Sequence, residues 1–334
     1  MGRAVAFPLM SARTTADDRD ARLEPFRGDL LAHCYRMLGS FHEAEDLVQE
    51  TMLRAWQAAD RYDPHKASLR TWLHTIATNA CLDALRKRPR RVLPSGLGPA
   101  GDDPYVPLVP SLDIPWLQPF PDLRLGDPAT SAEQLAGLRL AFVAALQLLP
   151  ARQRAALLLR EVLDIPAAEV ATALQVTVAS VNSSLQRARA TLRSANVSVE
   201  SLREPADPDE RAVVDRYLAA FAAADVTALT NLLADDVVLE MPPVALWVSG
   251  RTHYRQFMQR VFAMRGTGWQ LLPAQANGGP ALAAYAPDPQ PGRVRAHSIQ
   301  LFEVAAGRVQ RCVTFVEPQL FSLVGLPVTL DQVR

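Results

Sequence analysis

Nine prolines fall between positions 94 and 128: Pro94, Pro99, Pro104, Pro107, Pro110, Pro115, Pro119, Pro121 and Pro128. Each fixes φ and removes a backbone donor, so no long helix or central strand runs through this stretch. The chain is thereby divided, with residues 94–130 forming an extended, Pro-rich linker. Its 334 residues suit two or three domains of ~100–200 residues each. The linker is not a bland spacer. Ile114-Pro115-Trp116-Leu117-Gln118-Pro119-Phe120-Pro121 inserts large apolar groups that a solvated segment has no reason to carry. Trp116, Leu117, Pro119 and Phe120, and the end segment Phe315 to Pro327, are therefore expected to dock against the domain that precedes the linker or against each other.

On both sides of the linker the apolar residues recur at helical spacing. Leu30, Leu31, Cys34, Met37 and Leu38 form one stripe, and Ala44, Leu47, Val48, Met52 and Ala55 a second. A third helix runs from about Ser68 to Lys87. These elements make a helical domain at 22–93, preceded by a disordered lead at 1–21. Helical spacing returns over 131–196, and a turn-rich joint at 197–208 follows. From 209 to 327 helices alternate with strands. The strands are expected near 236–241, 269–275, 281–286, 295–304 and 308–316, where Val294, Ala296, Ser298, Gln300 and Phe302 alternate with their neighbours. Residues 328–334 are a tail. The fold class is multidomain: two all-α helical domains followed by an α+β domain.

Thirty-five Lys and Arg balance 35 Asp and Glu, which argues against coating nucleic acid by bulk charge and shifts attention to local clusters. Cys34, Cys81 and Cys312 lie far apart, with no C-x-x-C pair and no metal-ligand spacing. They read as buried thiols of a cytoplasmic protein, with no metal and no cofactor. Ala4 to Met10 is too short for a membrane span.

The strongest local pattern is a helix-turn-helix at about 166–192. Pro166 suits a first helical turn, Ala167 to Leu174 makes the supporting helix, and Thr177 caps the next one. In that second helix Val181, Leu185, Ala188 and Leu192 face inward. Major-groove reading needs short polar groups near the helix start and cations further along. Ala179, Ser180, Asn182, Ser183 and Gln186 fit the first role; Arg187, Arg189 and Arg193 fit the second. Arg152 and Arg154, in the turn upstream, are placed to grip the same DNA backbone. Alone, this pattern also fits a helical hairpin with a solvated charged face.

The front domain narrows the choice. Gly39 to Trp56, with Asp46-Leu47-Val48-Gln49-Glu50 at its centre, resembles the polymerase-binding helix of the extracytoplasmic-function class of sigma-70 factors. The resemblance implies that Asp46, Gln49 and Glu50 meet a coiled coil of the largest subunit of core RNA polymerase, with Leu47 and Val48 packing beside them. Carboxylates one turn apart suit a basic partner helix. Ser68 to Lys87 resembles the element that opens and reads the downstream promoter box. The loop from Tyr62 to Ser68 with Lys66 would receive an unstacked base, and Arg70, Asn79, Arg86, Lys87, Arg88, Arg90 and Arg91 would line the displaced strand. Trp72 lies on the apolar stripe and reads as core. Region 4 of the family would correspond to 131–196 and read the upstream element. Asn182 and Ser184 stand where basic residues often sit in the family, so promoter preference does not carry over.

Residues 209–327 resemble the SnoaL-like branch of the NTF2-like fold, a cone of helices over a curved sheet. In sigma factors that carry it, the domain is usually regulatory, and Trp116-Leu117-Gln118-Pro119 is similar to a linker patch found with it. Intramolecular docking or a small-molecule ligand in this domain is implied. Enzymes of the fold use a buried carboxylate or His, for which Glu240, His253, Tyr254, Trp269 and His297 are the candidates. Fold alone confers no chemistry. The leading reading is a promoter-specificity subunit that performs no covalent chemistry. The alternative is a small-molecule isomerase or hydrolase tethered to DNA by its helical front.

Overall fold

In a computed structural model, the residues described are 16–103, 105–125, 135, 137–195, 208–290 and 292–331. The front begins with α1 (Ala16–Leu23), α2 (Arg27–Leu38), α3 (Phe41–Gln57) and α4 (Leu69–Leu85). Gly39, at φ 69°, ends α2 in the left-handed region that glycine adopts without strain. Ser40 Oγ then accepts from Glu43 N at 3.3 Å, and Ser68 Oγ from Thr71 N at 3.0 Å, so each following helix starts on a side-chain cap. The expected lead at 1–21 is corrected over its last part. Residues 16–21 belong to α1, held by an Arg19–Asp60 ion pair at 2.7 Å and by Arg19 lying over the Trp56 ring. These partners are distant in sequence, so local composition does not reveal them. Residues 1–15 lie outside the described residues.

After the linker come α5 (Leu140–Leu146) and α6 (Ala151–Leu157), the latter continuing into a π turn at Leu158–Val162. Then follow α7 (Ala167–Leu174) and α8 (Val178–Ser194). Between α7 and α8, Gln175 takes φ 54°, so the sharp turn is made without glycine. Helix α4 packs directly on α6 and α7, bringing the two helical domains together. The joint at 197–207 lies outside the described residues.

The C-terminal domain has α9 (Pro208–Ala222), α10 (Val226–Asn231), α11 (Arg251–Arg265) and α12 (Leu320–Leu323) with a seven-stranded sheet. The strands are β1 (Leu233–Met241), β2 (Val244–Ser249), β3 (Gln270–Ala276), β4 (Gly279–Pro287), β5 (Arg293–Ala305), β6 (Arg308–Phe315) and β7 (Thr329–Asp331). The order is β2-β1-β6-β5-β4-β3, with β1 and β6 parallel and β7 antiparallel to β5. Strands β2 and β7 go beyond the sequence reading. Pro242-Pro243 turns the chain back into β2, and Thr329 to Asp331 of the expected tail pair with Arg293 to Arg295.

The sheet is buried on both faces. Along β4, Leu282, Ala284 and Ala286 face the cone and pack with Val213, Tyr217, Phe221 and Phe257. The alternate residues Ala281, Ala283 and Tyr285 face the other way, and with Ile299, Leu301, Val313 and Phe315 they join one continuous apolar core with α2, α3, α5 and α6. Continuous apolar runs such as Ala281 to Ala286 signal two-sided burial. The linker is enclosed in that same core through Leu117 and Phe120.

Candidate polymerase and promoter interfaces

Helix α3 turns Ala44, Val48, Thr51 and Ala55 inward, and this leaves a mixed outer face. Asp46 and Gln49 are exposed, and Glu50 pairs with Arg54 one turn away. Leu47 is half-buried. Val48 is corrected: at 2% exposure it belongs to the core and is not available to a partner. In its place the outer face offers Leu53 and Trp56, 62% and 39% exposed. Sequence reasoning missed both, although their phase set them off from the inward stripe.

Helix α4 presents Asn79 to solvent, and the turn after it exposes Lys87, with Arg86 at 3.1 Å from Asp83. Lys66 is exposed in the preceding loop. Arg88 and Arg91 both pair with Glu43, which draws the basic run back onto α3. Arg70 is partly diverted as well: it lies 3.7 Å from Asp29 and donates to Leu163 O at 3.3 Å, across the joint between the helical domains. Trp72 stacks with Tyr62 at 5.2 Å and packs on the core, as its stripe position implied.

Helix α8 buries Val181, Leu185, Ala188 and Leu192 and exposes Ala179, Ser180, Asn182, Gln186, Arg187 and Arg189. Ser183 is half-buried and accepts from Arg187, while Arg189 pairs with Glu161. Thr177 Oγ1 caps the helix by accepting from Ser180 N at 3.2 Å. Arg152 is exposed beside this surface. Arg154 is a correction: it is 4% exposed and grips protein, not DNA. Its guanidinium donates to Met37 O, to Gln147 Oε1 at 2.7 Å and to Leu149 O at 3.1 Å, tying α6 to the end of α2. Burial pulls its pKa down to about 10. Arg36 makes a second such tie, donating to Gly137 O at 2.9 Å.

The linker patch is docked. Trp116, Leu117, Pro119 and Phe120 are all buried. Gln118 N donates to Gly39 O at 3.0 Å, and Tyr35 Oη donates to Gln118 O at 2.8 Å. The Phe120 ring lies 4.9 Å from Tyr35 and 5.7 Å from Phe41. The partner of this patch on the sheet is Asn277, in the turn between β3 and β4. Its Oδ1 accepts from Phe120 N at 2.8 Å, while its Nδ2 donates to Tyr35 Oη at 2.8 Å and to Leu138 O at 2.7 Å. One buried side chain thus joins the front domain, the linker and the start of region 4. Beside it Asp122 accepts from Gly278 N at 3.0 Å, and burial raises this carboxyl to about 7. At Phe315 to Pro327, Phe321 is buried against Tyr285 and joins the same core.

The candidates for proton transfer do not converge. Leu239 and Met241 face the cone, whereas Glu240 between them points to the opposite side of the sheet. There it is fully buried against Arg311 at 2.7 Å, and burial raises its pKa in spite of that arginine. His253 Nδ1 donates to Ser249 O at 2.8 Å, and His253 does not line the cavity. Tyr254, Trp269 and His297 do line the cone cavity, a space of ≈ 40 Å³. Burial drops His297 to about 4, so it is neutral. Among the described residues lining the cavity, none is Asp, Glu, Lys or Arg. A carboxylate-and-base pair is therefore not assembled there.

Comparison with known proteins agrees with this arrangement. Residues 23–91 match the sigma-70 region 2 model, 139–192 the sigma-70 region 4 model and 214–312 the SnoaL-like domain model. The ECF RNA polymerase sigma factor SigG of Mycobacterium tuberculosis is 44% identical over 329 residues, covering 96% of this chain and 88% of that protein. SigJ of the same organism is 31% identical over 223 residues, 65% of this chain and 62% of that one. The crystal structure of M. tuberculosis SigJ superposes with a TM-score of 0.62 at 27% identity, covering 92% of this chain and 99% of that one. Among the described residues, no helix is long and apolar enough to cross a membrane. With both sigma regions in order and 44% identity to SigG over 96% of its length, the chain belongs to the extracytoplasmic-function sigma-70 family and is an RNA polymerase sigma factor with a C-terminal SnoaL-like domain.

Proposed function

We propose that this sigma factor works in the cytoplasm and engages core polymerase through the outer face of α3, where Asp46, Gln49 and Glu50 meet the largest-subunit coiled coil beside Leu47, Leu53 and Trp56. Asn79, Arg86, Lys87 and Lys66 follow the displaced downstream strand. Ala179, Ser180, Asn182, Ser183 and Gln186 meet base edges of the upstream element, with Arg152, Arg187 and Arg189 on phosphates. The C-terminal domain is a regulatory clamp that holds the two DNA-reading domains packed together, and it performs no catalysis.

The observation that carries the clamp is Asn277, whose single amide bonds to Tyr35 in region 2, to Phe120 in the linker and to Leu138 at the entry to region 4. Two promoter elements lying apart on one duplex require the two readers to separate, and the packed state opposes this. The test is run-off transcription with core polymerase, using the full-length chain and Trp116→Ala and Asn277→Ala variants. The clamp reading expects both variants to change promoter-directed transcript yield at equal core occupancy. Unchanged yield and unchanged polymerase affinity in both would sink it.

A further inference from the structure

The segment that follows α4 carries the cations Arg86, Lys87, Arg88, Arg90 and Arg91, and the fold treats them unequally. Arg86, Lys87 and Arg90 lie at the surface. Arg88 and Arg91 converge on one carboxylate, that of Glu43, whose Oε1 lies 2.8 Å from Arg91 Nη2. Glu43 is the third residue of α3, in a Ser40-x-x-Glu43 capping box whose glutamate commonly turns back to the N-cap amide. Here the carboxylate reaches across to the end of the basic run. Arg91 is held a second time: its Nη1 donates to Trp116 O at 2.7 Å, where Val92 N also donates to Pro115 O and Leu117 N to Val92 O. Only 16% of the Arg91 side chain is exposed.

We infer that Glu43 is a positioning residue that keeps Arg88 and Arg91 in reserve. While the linker patch is docked both arginines face the protein; when Trp116 to Phe120 leaves, they become two further phosphate contacts for the downstream promoter strand. The chemistry favours this exchange. One carboxylate set against two guanidiniums leaves a surplus positive charge, which attracts an anion to the cluster. A phosphate accepts from guanidinium in the same two-pronged geometry as a carboxylate, so it can take the place of Glu43. Arg91 is bonded to the linker backbone, so moving the linker removes one of its two holds. The timing of release rests on the clamp reading, whereas the latch itself does not.

The test measures binding of the full-length chain, without polymerase, to an oligothymidylate of about 20 nucleotides, which offers phosphates and bases but no promoter sequence. Affinity is followed by fluorescence anisotropy over a salt series. Each freed cation that meets a phosphate should steepen the dependence of log K on log salt by about 0.7. Glu43→Gln keeps the helix cap and the side-chain volume, and it should steepen the slope by about 0.7 to 1.4. Glu45→Gln, the same charge change on the same helix, should alter it by less than about 0.3. Adding Arg88→Gln and Arg91→Gln to Glu43→Gln should restore the parental slope to within about 0.3. An unchanged slope in Glu43→Gln would overturn the proposal. So would an equal effect of Glu45→Gln, a steep slope that persists without the two arginines, or a triple variant about 1.4 shallower than the parent, which would mean that they already contact the strand. Should Glu43→Gln not fold, Glu43→Asp decides: it keeps the charge but draws the carboxylate back from both guanidiniums, and a slope not steeper by about 0.7 would overturn the latch. Asn277 stays intact throughout, so failure of the clamp in transcription and failure of the latch here are read separately.

Discussion

Helix α8 and strand β4 bury their side chains in opposite ways. Helix α8 hides one stripe and gives the rest of its surface to solvent. Strand β4 hides both faces, one under its own domain's helices and the other under the sigma domains. A one-sided element leaves a face for an outside partner, whereas a two-sided element has spent its surface inside the molecule. The same contrast separates Arg152 from Arg154. Two residues apart on one helix, the first points to solvent and the second is a buried tie between domains.

The largest effect is expected on the inward side. Asn277→Ala leaves Phe120 N, Tyr35 Oη and Leu138 O short of a partner and should cost about 3 kcal/mol in chemical denaturation. A change below roughly 0.5 kcal/mol would mean that the sheet is not a shared wall. Arg154→Met should cost about 2 kcal/mol, since Met37 O and Leu149 O lose their donor inside the core. Arg152→Ala is the matched control: stability within about 0.5 kcal/mol of the parent, but a salt dependence of promoter binding by the polymerase complex that is shallower by about one unit of slope. If the two arginines behaved alike in both assays, the distinction would fail.

Asp122 sharpens the comparison through pH. Its folded pKa, about 7, lies above the ordinary 3.8, so folding favours the protonated carboxyl. The corresponding stability is complete below about pH 4 and is lost as pH rises through about 7. Asp122→Asn should flatten the pH dependence of stability between those limits by roughly 2 kcal/mol; an unchanged slope in that window would refute the assignment. The smallest effect on the fold is predicted for Asp46→Lys. Melting temperature should stay within about 2 °C, because the side chain is exposed, while affinity for core polymerase falls by about tenfold or more. Full affinity in equilibrium binding to core would remove Asp46 from the interface.

Much of the outward-facing half was legible because helical phase is a local property. The stripes Ala44–Val48–Ala55 and Val181–Leu185–Ala188–Leu192 separate inside from outside, and the caps at Ser68 and Thr177 mark where helices start. The phase also held information that was not extracted: Leu53 and Trp56 fall outside the stripe of α3, and Glu240 sits between two cone-facing residues. What was not legible were contacts made over long separations. Asn277 meets Tyr35 across 242 positions, and no local pattern distinguishes such an asparagine from an ordinary turn residue. Arg154 looked like its neighbour Arg152 because both lie in one polar turn; only the carbonyls of Met37 and Leu149 tell them apart. The docking of Trp116 to Phe120, and the front domain as one of its two expected destinations, were foreseeable from its excess apolar surface, but its third partner on the sheet, Asn277, was not.

The central claim is that the sheet holds the two DNA-reading domains together until polymerase separates them. Cys34, Cys81 and Cys312 are buried, so cysteines introduced at exposed Arg61 and Thr172 can carry a pair of distance probes. The inter-probe distance should be short and narrowly distributed in the free chain, and it should lengthen on binding core polymerase. In Asn277→Ala the free chain should already show part of the long population. A distance that is the same in the free chain, in the complex and in the variant would contradict the account.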